Sequence, residues 1–118
     1  MTVRLKDEIR RILDAEAQAI MNIPVTDSYA ESIDLIFEHV HIRKGKLITS
    51  GLGKAGEIAH SIATLFSSTG TPAVFLHPSE AQHGDLGVIQ ENDILLVVSN
   101  SGETREVTEL LDLVESLF

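Results

Sequence analysis

Ile94-Leu95-Leu96-Val97-Val98-Ser99-Asn100-Ser101-Gly102-Glu103-Thr104 changes character once, at Ser99. The apolar half reads as a strand buried on both faces. Beyond the polar half, Val107, Leu110, Leu111, Val114, Leu117 and Phe118 recur at helical spacing, so the segment joins a buried strand to a helix start. The hydroxyls of Ser99, Ser101 and Thr104, the Asn100 amide and a Gly-relaxed backbone at Gly102 gather there. Free N–H groups and the positive end of the helix dipole favour an anion at that place. Composition and position together read as a phosphate cradle. A plain helix cap is the alternative, with Ser101 satisfying the first N–H groups and Glu103 complementing the dipole. One serine suffices for capping, and the cluster exceeds that need.

Working outward, Leu47-Ile48-Thr49-Ser50 is a short buried strand that runs into Gly51-Leu52-Gly53-Lys54-Ala55-Gly56. The helix after it carries Ile58, Ile62, Leu65 and Phe66 on one face, and Gly70-Thr71-Pro72 breaks it. Ala73-Val74-Phe75-Leu76 is the second strand, residues 77–87 form a loop with little periodicity, and Asp93 opens the third strand. Upstream, Leu5, Ile9, Ile12, Leu13, Ala17 and Ile20 mark an amphipathic helix that stops before Pro24. A second helix starts with a Ser28/Glu31 capping box, buries Ile33, Ile36, Phe37 and Val40, and ends at Lys44-Gly45. Strands separated by helices predict an α/β fold with a doubly wound parallel sheet, helices covering both faces. A flavodoxin-like order makes strands one and three neighbours. The Gly51 loop and the Ser99 loop then face each other across one crevice at the topological switch point.

Gly51 to Gly56 matches the dinucleotide fingerprint G-x-G-x-x-G. That fingerprint also expects an acidic residue ending the second strand, where Leu76-His77-Pro78 stands instead. Lys54 in the turn points rather to a cation over a phosphate or carbonyl oxygen, able to stabilise a developing enediolate; the bland alternative is a solvated lysine placed against the dipole. Glu106 shares a helix face with Glu103 about one turn above the anion site, which makes it a candidate general base or an ordinary exposed glutamate. His77, Glu80, His83 and Asp85 are the titratable groups of the polar loop. Their spacing fits no standard zinc pattern, so a catalytic or substrate-orienting histidine is favoured over a metal site, with a plain surface loop as the alternative. His39, His41 and His60 fall in helices and take no role, while Arg43, Lys44 and Lys46 precede the first strand, at the wrong end for substrate.

Composition narrows the classes further. With 118 residues, 43% hydrophobic and 23% charged, the chain has the size and balance of one globular domain. Its formal net charge of −9 argues against nucleic acid as a partner. An anionic substrate therefore needs a local site. No cysteine is present, so neither a disulfide framework nor a thiolate metal site is available. Neither a signal peptide nor an apolar run of about 18 residues is found, and a cytoplasmic location is expected.

The series Gly51-Leu-Gly-Lys-Ala-Gly56, Ser68-Thr-Gly-Thr-Pro72, His77-Pro-Ser-Glu-Ala81, His83-Gly-Asp-Leu-Gly87 and Ser99-Asn-Ser-Gly-Glu-Thr104 resembles the sugar isomerase (SIS) domain. More closely, it resembles the arabinose 5-phosphate isomerases of the 3-deoxy-D-manno-octulosonate (Kdo) pathway, over about Ile48 to Glu106. The resemblance implies interconversion of ribulose 5-phosphate and arabinose 5-phosphate without a cofactor or metal, serving lipopolysaccharide or capsule formation. It implies catalytic positions at Lys54 and Glu106, and phosphate-binding positions at Ser99, Asn100, Ser101 and Thr104. Gly51 and Gly53 fall in the substrate loop, and His83 in the loop that approaches the active site. It further implies a homo-oligomer, a tetramer by family habit, with shared active sites. Family members have a five-stranded SIS domain and many add a pair of CBS domains. This sequence stops in the helix after strand three, so residues 1–118 are expected to be the N-terminal portion of such a domain in a longer protein, without CBS domains. The exposed stripe of its last helix would then want covering. A non-catalytic SIS module that senses a sugar phosphate or activated Kdo is the competing expectation, and a different SIS enzyme acting on a hexose or heptose phosphate is a third, which the 77–87 motif opposes.

Overall fold

The computed structural model describes residues 1–117; Phe118 and the side chain of Asp85, both used in the sequence reading, lie outside the described part. Two units make up the chain, Met1–Ala30 and Glu31–Phe118. In the first, α1 (Thr2–Met21) is a continuous helix, and its Leu5, Ile9, Ile12, Leu13 and Ile20 are exposed. Next comes α2 (Ser28–Ile36), which passes into a π-helical segment at Phe37–Ile42. Val40 is its buried residue. Ile33 and Phe37, expected in the core, are exposed.

The second unit holds β1 (Leu47–Ser50), α3 (Lys54–Ser68), β2 (Ala73–Phe75), α4 (Pro78–Gln82), β3 (Ile94–Val97) and α5 (Arg105–Leu117). The strands form a parallel sheet in the order β2-β1-β3. Register pairs Ile48 with Val74 on one side and with Leu95 on the other. All of β1 is buried, as a central parallel strand must be when helices cover both faces. Alternation along it separates those faces. Ile48 belongs to a core with Leu76, Ala81, Ile89 and Leu110, against which Leu86, Leu95 and Val114 pack. Thr49 looks the other way and donates its hydroxyl to the Ala59 carbonyl of α3 at 2.6 Å. The next residue, Ser50, donates to the Leu76 carbonyl. Both hydroxyls are fully buried and both are satisfied, which removes the cost of placing them in the core.

Two helices differ from their expected faces. On α3 the buried residues are Gly56, Ala59 and Ala63, while Ile58 and Leu65 are 54% and 64% exposed. Small side chains let the helix backbone come close to the sheet, and close approach decides the face over side-chain hydrophobicity. On α5, Val107 and Leu110 are buried, whereas Leu111 and Leu117 of the same apolar stripe are exposed. The stretch 77–87, expected as irregular loop, contains α4 and a 3₁₀ turn at Asp85–Val88.

Opposite the loops that follow β1 and β3, the sheet is tied by polar contacts. Asp93, its side chain almost fully buried, accepts from the Lys46 backbone N–H at 2.8 Å and pairs with the Lys46 ammonium at 2.5 Å. It also accepts from Gln90 N–H at 2.8 Å. His39 Nδ1 meets the Asn92 carbonyl, and Asn92 in turn donates to the Arg43 carbonyl. Lys46, part of the basic cluster set aside as remote from substrate, is thus a structural partner. We expect Asp93→Ala to strand a half-buried ammonium and two unpaired backbone N–H groups, lowering unfolding free energy by about 3 kcal/mol. Urea denaturation of the two chains measures this; a loss below about 1 kcal/mol would mean the tie is solvated and weak.

Candidate functional site

Where β1 and β3 end, hydrogen bonding carries on for one residue: Val98 N–H donates to Ser50 O at 2.9 Å. Beyond that the chains diverge, β1 into Gly51–Gly53 and β3 into Ser99–Thr104. The crevice between them, about 270 Å³, is lined by Leu52, Lys54 and Ala55 from one side and by Val98, Ser99, Asn100, Ser101, Thr104 and Val107 from the other. This is the meeting of motifs that the 2-1-3 order requires.

The β1 loop has the backbone demands its glycines suggest. Gly53 caps α3 with φ at 62°, a left-handed value that favours glycine. A Cβ on Gly56 would stand 2.6 Å from the Gly51 carbonyl oxygen, so the first turn of α3 folds directly onto the loop. Lys54 is the first residue of that helix. Its side chain is 94% exposed, with the Glu57 carboxylate at 3.8 Å.

On the β3 side the two serines hold the turn. Ser99 Oγ accepts from Gly102 N–H at 2.9 Å, and Ser101 Oγ accepts from Glu103 N–H at 3.1 Å. Each hydroxyl still has its own proton to donate. Capping therefore does not use up the donor capacity of these side chains. Thr104 O accepts from Val107 and Thr108 as α5 begins. No intrachain acceptor among the described residues meets the N–H groups of Thr104, Arg105 and Glu106. These unpaired donors stand at the start of a long helix beside three hydroxyls and the Lys54 side chain, an arrangement whose chemistry suits an anion.

Other candidates lie outside that lining. Glu106 is half-buried in the first turn of α5, while exposed His83 follows α4 and donates its N–H to Glu80 O at 3.0 Å. Gly51 and Gly53 open onto a second cleft of about 460 Å³ with Gly56, Glu57, His60, Phe75 and His77. Sequence reasoning gave no role to His60 or Glu57, since residues from separate elements meet only after folding. The aromatic Phe75 between His60 (5.3 Å) and His77 (6.4 Å) was the available signal. Arg105, a cation next to the cradle, is held instead by Glu109 at 2.7 Å. That bond keeps the Glu109 carboxyl below the usual carboxylate range. Among the described residues no cluster of three or more His, Asp or Glu is arranged to hold a metal ion, and no helix is long and apolar enough to cross a membrane.

An open parallel α/β sheet with a crevice at its topological switch point defines a class of ligand-binding domains. Within that class the chain belongs to the SIS domain family, whose model matches residues 40–117. It is 38% identical over 109 residues to the arabinose 5-phosphate isomerase KdsD of Escherichia coli K12, covering 92% of this chain and 32% of that protein. A crystal structure from Bacteroides fragilis NCTC 9343, assigned as a phosphosugar isomerase involved in capsule formation, is 61% identical, with a TM-score of 0.94 over 96% of this chain and 59% of that one. The structure of E. coli CFT073 c3406 in complex with arabinose 5-phosphate is 34% identical with a TM-score of 0.87, over 98% and 61%. The chain thus spans about a third of the length of the curated relatives it matches, 32% for KdsD.

The contact between Gly51 and Gly56 sets the shape of the crevice wall. Gly56→Ala should push α3 off the loop, lower stability by about 2 kcal/mol and shift the amide resonances of residues 51–56. Unchanged resonances and an unchanged urea midpoint would mean the loop yields without cost.

Proposed function

We propose that this chain carries the substrate site of a phosphosugar isomerase that interconverts ribulose 5-phosphate and arabinose 5-phosphate. The observation that carries the reading is the crevice joining Lys54 to the Ser99–Thr104 cradle. Its support beyond the geometry is the likeness to KdsD and to a neighbour solved with arabinose 5-phosphate.

In this reading the hydroxyls of Ser99, Ser101 and Thr104, the Asn100 amide and the free N–H groups at the start of α5 bind the phosphate. The Glu106 carboxylate takes the proton from C1 of the ketose, leaving an enediolate, and returns it to C2 to give the aldose. Hydroxyl and carbonyl oxygens exchange one proton in the same passage, so no redox cofactor enters. Lys54 steadies the charge that develops on the enediolate oxygen, and His83 orients the sugar. The same proposal makes the working protein a cytoplasmic homo-oligomer supplying Kdo for lipopolysaccharide or capsule formation, the latter being the role in the description of the B. fragilis neighbour.

Proton NMR of ribulose 5-phosphate with the chain in deuterated water tests the chemistry. The expected result is catalysed exchange at C1 with growth of the arabinose 5-phosphate anomeric signal. Binding without exchange would instead favour a sensing module. Among variants, Lys54→Ala and Glu106→Gln should each lower kcat by about 100-fold or more with KM nearly unchanged. Ser101→Ala should chiefly raise KM. Equal loss of binding in all three would contradict this division of roles.

A further inference from the structure

We infer that His77 is a positioning residue: its Nδ1 caps α4 and so fixes His83 at the far end of that helix. The inference rests on the isomerase reading only for what His83 does there.

A helix of five residues, Pro78–Gln82, is far too short to persist on its own. Specific contacts must hold it. Pro78 stands at the first helical position, where its fixed φ is preorganised and its missing N–H is no loss. Pro78 and Ala81 are buried, Ala81 in the core that includes Leu76 and Leu110. At the C-terminal end the Gln82 side chain hydrogen-bonds Glu109 of α5, and at the N-terminal end stands the cap, in which Ser79 N–H donates to His77 Nδ1 at 3.2 Å. Ala81 N–H then donates to His77 O and His83 N–H to Glu80 O. His77 therefore closes the first turn with both its side chain and its carbonyl, and the last bond of the series ends on His83.

Histidine is an unusual choice for this place, where Ser, Thr, Asp or Asn normally serves. Accepting from Ser79 uses the lone pair of Nδ1, a ring atom held by the imidazole plane rather than by a freely rotating hydroxyl. Without that acceptor the first turn of α4 loses its cap, and His83 at the other end of the helix loses its fixed place.

Amide hydrogen exchange of the ¹⁵N-labelled chain tests this without requiring turnover. His77→Ala should lose at least about tenfold in protection factor at Ser79 and Ala81 relative to wild type, with the His83 amide resonance shifted. His77→Asn, whose amide oxygen can accept the same bond, should keep wild-type protection and the wild-type His83 resonance. An alanine variant as protected as wild type with the His83 resonance unmoved, or an Asn variant that behaves like the alanine one, would overturn the inference. In turnover, His77→Ala should lower kcat about tenfold at pH 7.5 and His77→Asn should restore it to within about threefold; an alanine variant as fast as wild type would remove the positioning role. Failure of the isomerase reading would show as absent turnover with the exchange pattern intact.

Discussion

Burial of β1 is the constraint on which the rest of the second unit depends. Four residues, Leu47–Ser50, are covered on both faces and paired on both edges. Nothing polar can stand there unless its hydrogen bonds are met, and Thr49 and Ser50 meet theirs on the Ala59 and Leu76 carbonyls. Because β1 lies between β2 and β3, the crossover through α3 leaves on one side and the return from β3 enters α5 on the other. The loops after β1 and β3 are thereby forced to face each other. The crevice is a consequence of strand order.

The two ends of the sheet divide the labour of stability and binding. At the start of the strands, a buried carboxylate, Asp93, gathers the Lys46 ammonium and two backbone N–H groups. At the other end, donors are left over: the hydroxyl protons of Ser99 and Ser101 and the first N–H groups of α5. Such groups stabilise the free protein little and become strong only against a charged ligand in a partly dry crevice. Lys54 is the cation of the crevice lining, whereas Arg105 is engaged with Glu109.

Much of this was legible in the sequence because two signals agreed. The apolar runs Leu47–Ser50 and Ile94–Val97, each followed by a polar or Gly-rich turn and a helical period, identify parallel strands and place their loops. What escaped had physical causes. The Ile58, Ile62, Leu65 pattern looks like the inner face of α3, yet Gly56, Ala59 and Ala63 are the buried residues, since close packing selects small side chains that a hydrophobicity count undervalues. Periodicity cannot register α4, which is shorter than two turns and held by a histidine cap and two buried residues. The cleft that brings together Glu57, His60 and His77 arises from α3 and the end of β2, and no local pattern links them. At the site, the cradle and Lys54 were readable as one group, whereas Glu106 and His83 lie outside its lining and depend on the family likeness for their roles.

The central claim is that the loops after β1 and β3 bind a sugar phosphate as one unit. Its most direct test is the amide spectrum of the ¹⁵N-labelled chain during titration with arabinose 5-phosphate. The account predicts saturable shifts concentrated at residues 51–56 and 99–106, lost together when Ser101 is replaced by alanine. Shifts confined to the cleft around His60 and His77, or none at ligand concentrations up to about 10 mM, beyond the usual range of metabolite affinities, would contradict it.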